Sequence, residues 1–161
     1  MARKIRTAPS RGRSPKATVA GGAALDFMRA VWALDHALRS RSKLMKREVG
    51  VTGPQRLVLR IVGRTPGISA GALAEALHVH PSTLTGVLER LSKRRLLIRK
   101  QDPEDARRAV LHLTDRGKTF DKVRTGTVEA AVLRVLSSMH EDEVATAQRV
   151  LAALVQELEK Q

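Results

Sequence analysis

Residues 81–113 restrict the fold more than any other part of the sequence. Pro81 can open a helix at its first position, where its missing N–H costs nothing. The helix that continues to about Arg95 would bury an apolar stripe made of Leu84, Val87, Leu88 and Leu91. Two short runs of strand-forming residues follow, 96–101 and 109–113, joined by a charged segment rich in turn residues. The pattern therefore predicts a helix followed directly by a two-stranded β-hairpin.

Two shorter helices are predicted before this unit. Thr52-Gly-Pro-Gln55 has the spacing of a capping box with proline in the first turn, and a short helix through Val62 follows it. Ser69 can cap the next helix, from Ala70 to Leu77. Helix, helix and hairpin in this order are the layout of a winged helix-turn-helix. We therefore predict a mainly α fold with a small β-hairpin wing.

Two longer helices are predicted after the wing. Thr114 can cap a helix over residues 115–137, although Gly126 weakens its middle by up to about 1 kcal/mol relative to alanine. Ser138-Met-His-Glu141 has the spacing of a second capping box, and the last helix repeats apolar residues to its end. A stripe this long and apolar is too much to leave in water on a small monomer. We therefore do not expect the last helix to stay uncovered, as it would on a monomer.

The N-terminal part of the chain divides into a basic arm and a helix. Residues 1–22 hold six of the 30 basic residues and no acid, which leaves a formal charge of +8 for the rest. We predict a disordered arm there, either a solvated tail or a DNA-contacting one. A helix follows over residues 24–49 and ends at Gly50. The predicted regions are thus the arm (1–22), the helical dimerisation region (23–50 and 118–161) and the DNA-binding region (51–117).

The charge balance indicates the class of partner. A formal charge of +14 favours a polyanion. The chain has only one Trp, two Phe and no Tyr, which argues against a surface that stacks single-stranded bases or RNA on aromatic rings. It has no Cys, which excludes a disulfide scaffold, a zinc ribbon and a thiol redox switch. Double-stranded DNA is therefore the expected partner.

The helix that begins at Pro81 carries the candidate base-reading residues. Small side chains at its N-terminal end would let it enter the major groove, where hydroxyls can meet base edges; these are Ser82, Thr83, Thr85 and Gly86. Cations lie farther along, where contacts to phosphate are expected: Arg90, Lys93, Arg94 and Arg99. The alternative is a helix whose Ser and Thr merely face solvent.

The loop of the hairpin is the second candidate contact. Residues 90–118 contain ten basic and four acidic side chains. A wing would bring Arg107 or Arg108 to the minor groove, whose negative potential is concentrated in A·T-rich sequence. Asp105 is unexpected beside phosphate, and we expect it to orient an arginine through a charge-assisted hydrogen bond. A solvated charge run is the alternative interpretation.

The sequence also resembles the MarR family of bacterial winged-helix regulators, over roughly residues 24–160. The resemblance is carried by Ser82-Thr-Leu-Thr85, by Leu88-Glu-Arg-Leu-Ser-Lys-Arg-Arg-Leu96, and by Asp102-Pro-Glu-Asp-Ala-Arg-Arg108 leading to Leu111-His-Leu-Thr-Asp-Arg-Gly117. It implies an obligate homodimer with intertwined first and last helices, two recognition helices in successive major grooves of a pseudo-palindrome, and Arg107 in the minor groove. In many relatives a small, often phenolic, ligand bound between the dimerisation and DNA-binding regions releases DNA.

Other candidate sites are weaker. His78 and His80 could share a metal, but no third ligand joins them, and we predict no metal site or cofactor. Trp32 and His36 lie one helical turn apart and could contact a small aromatic ligand, although Trp32 packing in a dimer core is the simpler interpretation. No nucleotide fingerprint, phosphate loop or nucleophile elbow is present, so no enzymatic activity is expected. No run of apolar residues is long enough to cross a membrane.

These observations favour a cytoplasmic, nucleoid-associated bacterial transcription regulator. We expect a ligand-responsive repressor that binds a pseudo-palindromic operator as a homodimer. The main alternative is an architectural DNA-binding protein with weak sequence selectivity, which the net charge would also suit. A protein-interaction module that uses the terminal helices, without DNA, is a third class.

Overall fold

The computed structural model describes residues 21–105 and 107–160, so residues 1–20 of the predicted arm lie outside the described part. In chain order the elements are α1 (Gly21–Glu48), α2 (Gly53–Arg64), β1 (Ile68–Ser69), α3 (Ala70–Ala76), α4 (Pro81–Lys93), β2 (Leu97–Gln101), β3 (Ala109–Leu113), α5 (Asp115–Lys122), α6 (Val128–Leu136) and α7 (Glu141–Leu158). Internal contacts divide the chain into two units, Met1–Asp35 and His36–Gln161. Each unit is described by itself.

In the first unit the described residues, 21–35, form the N-terminal part of α1. Gly21 and Gly22, which the sequence analysis placed in the arm, are already helical. None of these described residues is buried. The exposed apolar side chains are Leu25, Phe27, Met28, Trp32 and Leu34.

The hydrophobic core of the second unit lies inside the predicted DNA-binding region. Its buried members are Val51, Val58, Leu59, Val62, Leu73, Ala74, Leu84, Leu88, Leu91, Leu96, Leu97 and Leu111. The predicted caps of α2 and α3 are confirmed. Thr52 Oγ1 accepts from Gln55 N at 3.4 Å while Thr52 N donates to Gln55 Oε1 at 3.1 Å, and Ser69 Oγ accepts from Ala72 N at 3.1 Å.

The predicted hairpin is present, within a sheet of three antiparallel strands in the order β1-β3-β2. Leu97 pairs with Leu113 at the base of the wing and Gln101 with Ala109 toward its tip. β1 adds the pair of Ile68 with Leu111 on the other side of β3. A strand of two residues has no periodic pattern, and the sequence analysis therefore missed it.

The prediction of one helix over residues 115–137 is wrong, because two helices, α5 and α6, occupy this stretch. Val123 is extended, with φ −61° and ψ 129°. Gly126 has φ +69°, a left-handed conformation that glycine adopts without a steric penalty. Thr127 then caps α6, its Oγ1 accepting from Ala130 N at 3.2 Å. The chain thus leaves the helix at Val123 and starts a new one five residues later.

A buried arginine of α2 accounts for the break. Arg56 is only 1% exposed, and its Nε donates to Glu129 Oε1 at 2.6 Å. Its Nη atoms donate to the backbone carbonyls of Phe120, Asp121 (3.2 Å) and Val123 (2.5 Å). In a continuous helix each of these carbonyls would accept from an N–H four residues later. The Arg56 guanidinium, with Arg124 as a second donor to two of them, supplies hydrogen bonds instead, and its positive charge suits the C-terminal end of α5.

The start of the last helix also differs from the prediction. His140, not Ser138, is the N-cap of α7, and its backbone N donates to Glu143 Oε2 at 2.8 Å. Three acidic residues lie in the first turn, where the helix dipole favours them. Neither α6 nor α7 buries a residue. Their exposed apolar side chains are Val132, Leu133, Val135, Leu136, Val150, Leu151, Val155 and Leu158.

Candidate nucleic-acid interface

Helix α4 has an apolar side and a side that carries hydroxyls. Leu84, Leu88 and Leu91 recur every three or four residues and are buried in the core. Ser82 and Thr85 are exposed, as is Thr83. The three hydroxyl residues predicted to read bases therefore lie on the exposed surface of a helix that is fixed by its apolar side, and Gly86 beside them is half-buried.

Two of these hydroxyls form hydrogen bonds within the chain. His80 is the N-cap of α4, and its Nδ1 accepts from Ser82 N at 3.3 Å and lies 2.8 Å from Ser82 Oγ. Thr85 Oγ1 donates to the Pro81 carbonyl at 3.0 Å. From the sequence, His80 was considered only as half of a possible metal pair, and this cap was not predicted. Proline at the following position was the available signal, because it favours the first turn of a helix.

Gly86 and Arg90 form a local pair on the same helix. A Cβ at position 86 would lie 3.7 Å from both Nη atoms of Arg90, so the missing side chain leaves room for the guanidinium beside the helix backbone. Arg90 is exposed, and so are Lys93 and Arg99, the other cations expected to contact phosphate. These three charges lie on α4 and on the first strand of the wing.

Arg94 differs from the other predicted phosphate contacts because it is bound within the chain. Its Nη1 donates to the Gly50 carbonyl at 2.5 Å, and its guanidinium carbon lies 5.7 Å from the centre of the Phe120 ring. The side chain is half-buried. Arg94 thus joins the end of α4 to the turn after α1 and to α5. It is not one of the exposed cations.

Backbone hydrogen bonds shape the tip of the wing. Glu104 N donates to Asp102 Oδ1 at 3.0 Å, and Arg108 N donates to the Asp105 carbonyl at 2.9 Å. Asp105 Oδ1 accepts from the backbone N–H of Arg107 at 3.0 Å, rather than from a guanidinium as expected. The carboxylate therefore stabilises the turn itself. The side chains of Arg107 and Arg108 are exposed beside it.

One acid in this basic region has an internal partner. Lys118 Nζ lies 2.9 Å from Asp115 Oδ1, and this hydrogen bond, together with the positive charge, lowers the pKa of Asp115 below its ordinary value. Asp115 stands in the first turn of α5, where a negative charge is favourable. Lys118 therefore compensates the charge of Asp115. Residues 90–118 as a whole remain basic, with ten basic and four acidic side chains.

A cleft of about 440 Å³ opens where α5 ends. It is lined by Glu48, Val49, Thr119, Phe120, Val123, Thr125 and Gly126. Its volume falls within the range of about 300–1,000 Å³ typical of small-ligand sites. An aromatic ring, two valines, two hydroxyls and one carboxylate line it. The cleft was not predicted from the sequence, because it depends on the break between α5 and α6.

The remaining predicted residues are placed as follows. Trp32 is 80% exposed, in the first unit, and His36 is exposed in the second. His80 caps α4, and within residues 21–105 and 107–160 no group of three or more His, Asp or Glu side chains could hold a metal. None of the described helices combines the length and the apolar character needed to cross a bilayer.

Comparison with known sequences identifies related regulators. The sequence model of the MarR family matches residues 49–108, which run from the end of α1 to the tip of the wing. The HTH-type transcriptional repressor MdtR of Bacillus subtilis (strain 168) is 33% identical over 111 residues, which cover 68% of this chain and 71% of MdtR.

Solved structures show the same fold. The transcription regulator MarR from Oenococcus oeni PSU-1 matches with a TM-score of 0.73 at 19% identity, over 81% of this chain and 99% of that chain. The PcaV transcriptional regulator from Streptomyces coelicolor, solved in complex with its natural ligand, matches with a TM-score of 0.58 at 25% identity, over 91% of this chain and 98% of that chain. The prediction of a mainly α winged helix-turn-helix fold is confirmed.

Proposed function

We propose a specific role for this chain, which belongs to the MarR family of winged-helix DNA-binding transcription regulators. It is a ligand-responsive repressor that binds a pseudo-palindromic operator as a homodimer. Members of this family are transcription factors, so the chain is not an enzyme. Its proposed partner is double-stranded DNA, and it would act at the nucleoid in the bacterial cytoplasm.

The exposed side of α4 beside an arginine-bearing wing is the observation that carries this proposal. The N-terminal residues of α4 would lie at base edges in the major groove: Ser82, Thr83, Thr85 and Gly86. Exposed cations would bind phosphate: Arg90, Lys93, Arg99 and Arg108. Arg107 would enter the minor groove, with Asp105 holding the turn that carries it. Arg94 is left out of this set because Gly50 and Phe120 already bind it.

We expect the protein to bind its operator at least about 1,000-fold more tightly than random DNA at physiological salt. Arg107→Ala should weaken operator binding about 10-fold or more, since a groove-inserted arginine contributes at least about 1–3 kcal/mol. Arg149→Ala, which removes the same charge from α7, is the control. Fluorescence-anisotropy titrations of an operator duplex and of a random duplex measure the affinities of the wild type and of the two variants. A ratio near one would favour the architectural alternative, and equal affinities for the two variants would contradict the role of the wing.

The homodimer is supported by apolar side chains on the C-terminal helices. α6 and α7 bury no residue, yet Leu133 is 61% and Leu151 is 47% exposed. A monomer rarely leaves so many apolar side chains in water, whereas a second copy of the chain would cover them. The part of α1 in the first unit also exposes apolar residues.

Leu151→Glu should weaken the dimer at least about ten-fold, because it places a charge where burial of leucine contributes about 1.5–3 kcal/mol. Thr146→Glu adds the same charge to α7 at an exposed position five residues from Leu151, on the other side of the helix, and should leave the dimer intact. Sedimentation equilibrium at micromolar concentration measures both. A wild-type protein that sediments as a monomer would contradict the proposal.

Ligand response is supported by the cleft at the end of α5. Phe120 offers an aromatic wall, and Thr119 and Thr125 offer hydroxyls to a small aromatic ligand. PcaV, the related regulator, binds a natural ligand. A ligand releases DNA only if it binds the DNA-incompetent dimer more tightly than the competent one. Ligand contact by Trp32 and His36 stays a prediction.

A further inference from the structure

We propose that the hydroxyl groups of Ser82 and Thr85 meet DNA only as hydrogen-bond acceptors, and that His80 is the positioning residue that sets this polarity at Ser82. The inference rests on the proposed function, in which the N-terminal end of α4 faces base edges. It follows that the bases contacted by these two side chains carry amino groups in the major groove.

The hydroxyl hydrogen of Ser82 is used by His80. A backbone N–H can only donate, so the bond from Ser82 N to His80 Nδ1 at 3.3 Å requires an Nδ1 without a proton. This bond assigns the tautomer whose ring proton is on Nε2. In this tautomer the Ser82 hydroxyl, whose Oγ lies 2.8 Å from the same Nδ1, is a second donor to that lone pair. Two lone pairs remain on Ser82 Oγ, and no hydrogen is left for a base.

The hydroxyl hydrogen of Thr85 is used by the helix itself. The Pro81 carbonyl can only accept, so the bond of 3.0 Å between it and Thr85 Oγ1 takes the hydroxyl hydrogen. Such bonds to a carbonyl one turn earlier are a common alternative for Thr in a helix. Thr85 is exposed, and its free lone pairs can accept from outside. Ser82 and Thr85 therefore present the same polarity.

This polarity discriminates between bases. In the major groove adenine presents the N6 amino group and cytosine the N4 amino group, whereas the groups of guanine and thymine are acceptors. If a hydroxyl oxygen that can only accept faces guanine O6 or thymine O4, no hydrogen lies between the two oxygens. Leaving such acceptors unpaired is unfavourable. Adenine or cytosine should therefore be preferred about three- to ten-fold at each contacted base. The guanidinium of Arg90, one turn from Gly86, supplies donors that suit guanine or phosphate.

Selection of binding sites from random duplex DNA by the full-length protein provides the test. Ser82→Ala and Thr85→Val each remove one hydroxyl, and each should remove the base preference at one position. In the wild-type selection the contacted strand should hold adenine or cytosine at those positions, and base analogues identify that strand. Replacing that adenine by purine, which lacks the N6 amino group, should weaken wild-type binding about three- to ten-fold and leave the matching variant unchanged.

Two variants of His80 separate its effect on polarity from its effect on the helix. His80→Asn keeps an acceptor at the N-cap and should keep the preference at the Ser82 position. His80→Gly removes that acceptor, while glycine at an N-cap weakens the helix by only a few tenths of a kcal/mol. It frees the hydroxyl of Ser82 to donate, so guanine and thymine should become acceptable there. The preference at the Thr85 position should stay the same in both variants, which a general loss of helix structure would not allow.

Each contrary outcome has a distinct meaning. Every base pair carries one amino group in the major groove, so base analogues decide which strand is contacted. Wild-type binding that stays unchanged when adenine at those positions is replaced by purine would show that the hydroxyls do not accept from the amino group, and would overturn this inference while DNA reading stands. Equal preferences in His80→Gly and His80→Asn would overturn the role of His80. A wild-type protein that selects no sequence would overturn the proposed function, and this inference with it.

Discussion

Replacing Arg56 with alanine is expected to lower the free energy of unfolding by about 3–5 kcal/mol, because the change removes a buried cation from groups that depend on it. Arg56 is the bulkiest of the fully buried side chains among the described residues. Its loss removes the buried donor from the Glu129 carboxylate and from three carbonyls at the end of α5. The Asp121 and Val123 carbonyls keep only the solvent-exposed guanidinium of Arg124 and, for Asp121, that of Arg60. It also opens a cavity between α2 and α5.

Arg56→Lys separates charge from geometry. Lysine keeps the positive charge, but its single ammonium group cannot replace a planar fork that donates to one carboxylate and three carbonyls. We therefore expect an intermediate loss of stability. Equilibrium unfolding in urea, followed by circular dichroism, gives the free energy of each variant.

Arg60→Ala is the matched control. Arg60 also lies on α2 and donates to Asp121 Oδ1 at 2.8 Å, but its side chain is 24% exposed and the ion pair is reached by solvent. Because solvent reaches the pair, its loss should lower stability less than loss of the fully buried guanidinium, by on the order of 1 kcal/mol. If Arg56→Ala and Arg60→Ala lowered stability by the same amount, the special role of the buried guanidinium would be wrong.

This arginine also explains where the sequence analysis failed. Caps at Thr52 and Ser69 and the first-turn proline at position 81 are local signals, and they predicted α2, α3 and α4 within a few residues. The break between α5 and α6 is stabilised by a residue 64–73 positions earlier, which no local pattern contains. One signal was available: Arg56 lies three and six residues before Leu59 and Val62, on the buried side of α2.

The candidate interface was predictable in composition but not in hydrogen bonding. Small hydroxyl residues opposite a leucine stripe predicted which side of α4 is exposed. Their internal partners depend on side-chain conformations, so the bonds of Ser82 and Thr85 could not be foreseen. Arg94 had the same sequence character as Lys93, yet the Gly50 carbonyl and the Phe120 ring hold it inside. Long-range partners, rather than residue type, distinguish a structural cation from a binding one.

The base of the wing depends on the absence of a side chain at Gly117. Thr114 N donates to the Leu96 carbonyl at 3.2 Å, and Thr114 Oγ1 accepts from Gly117 N at 3.0 Å. These bonds bring the first turn of α5 against the residue that precedes β2. A Cβ at position 117 would overlap the Leu96 carbonyl oxygen and lie 3.0 Å from its carbonyl carbon. Both are backbone atoms, so no rotation of a side chain can relieve the overlap.

Gly117→Ala is therefore expected to lower the free energy of unfolding by about 3 kcal/mol, through overpacking and loss of the bond between Thr114 and Leu96. Operator affinity should fall as well, because Leu96 leads into the first strand of the wing. Gly71→Ala in α3 is the control: the nearest atom to its added Cβ is Ser69 Oγ at 4.0 Å, and alanine should stabilise the helix by up to about 1 kcal/mol. Urea unfolding of both variants measures the difference. Shifts of the two midpoints in the same direction would show that helix propensity, and not the contact with Leu96, determines the effect at Gly117.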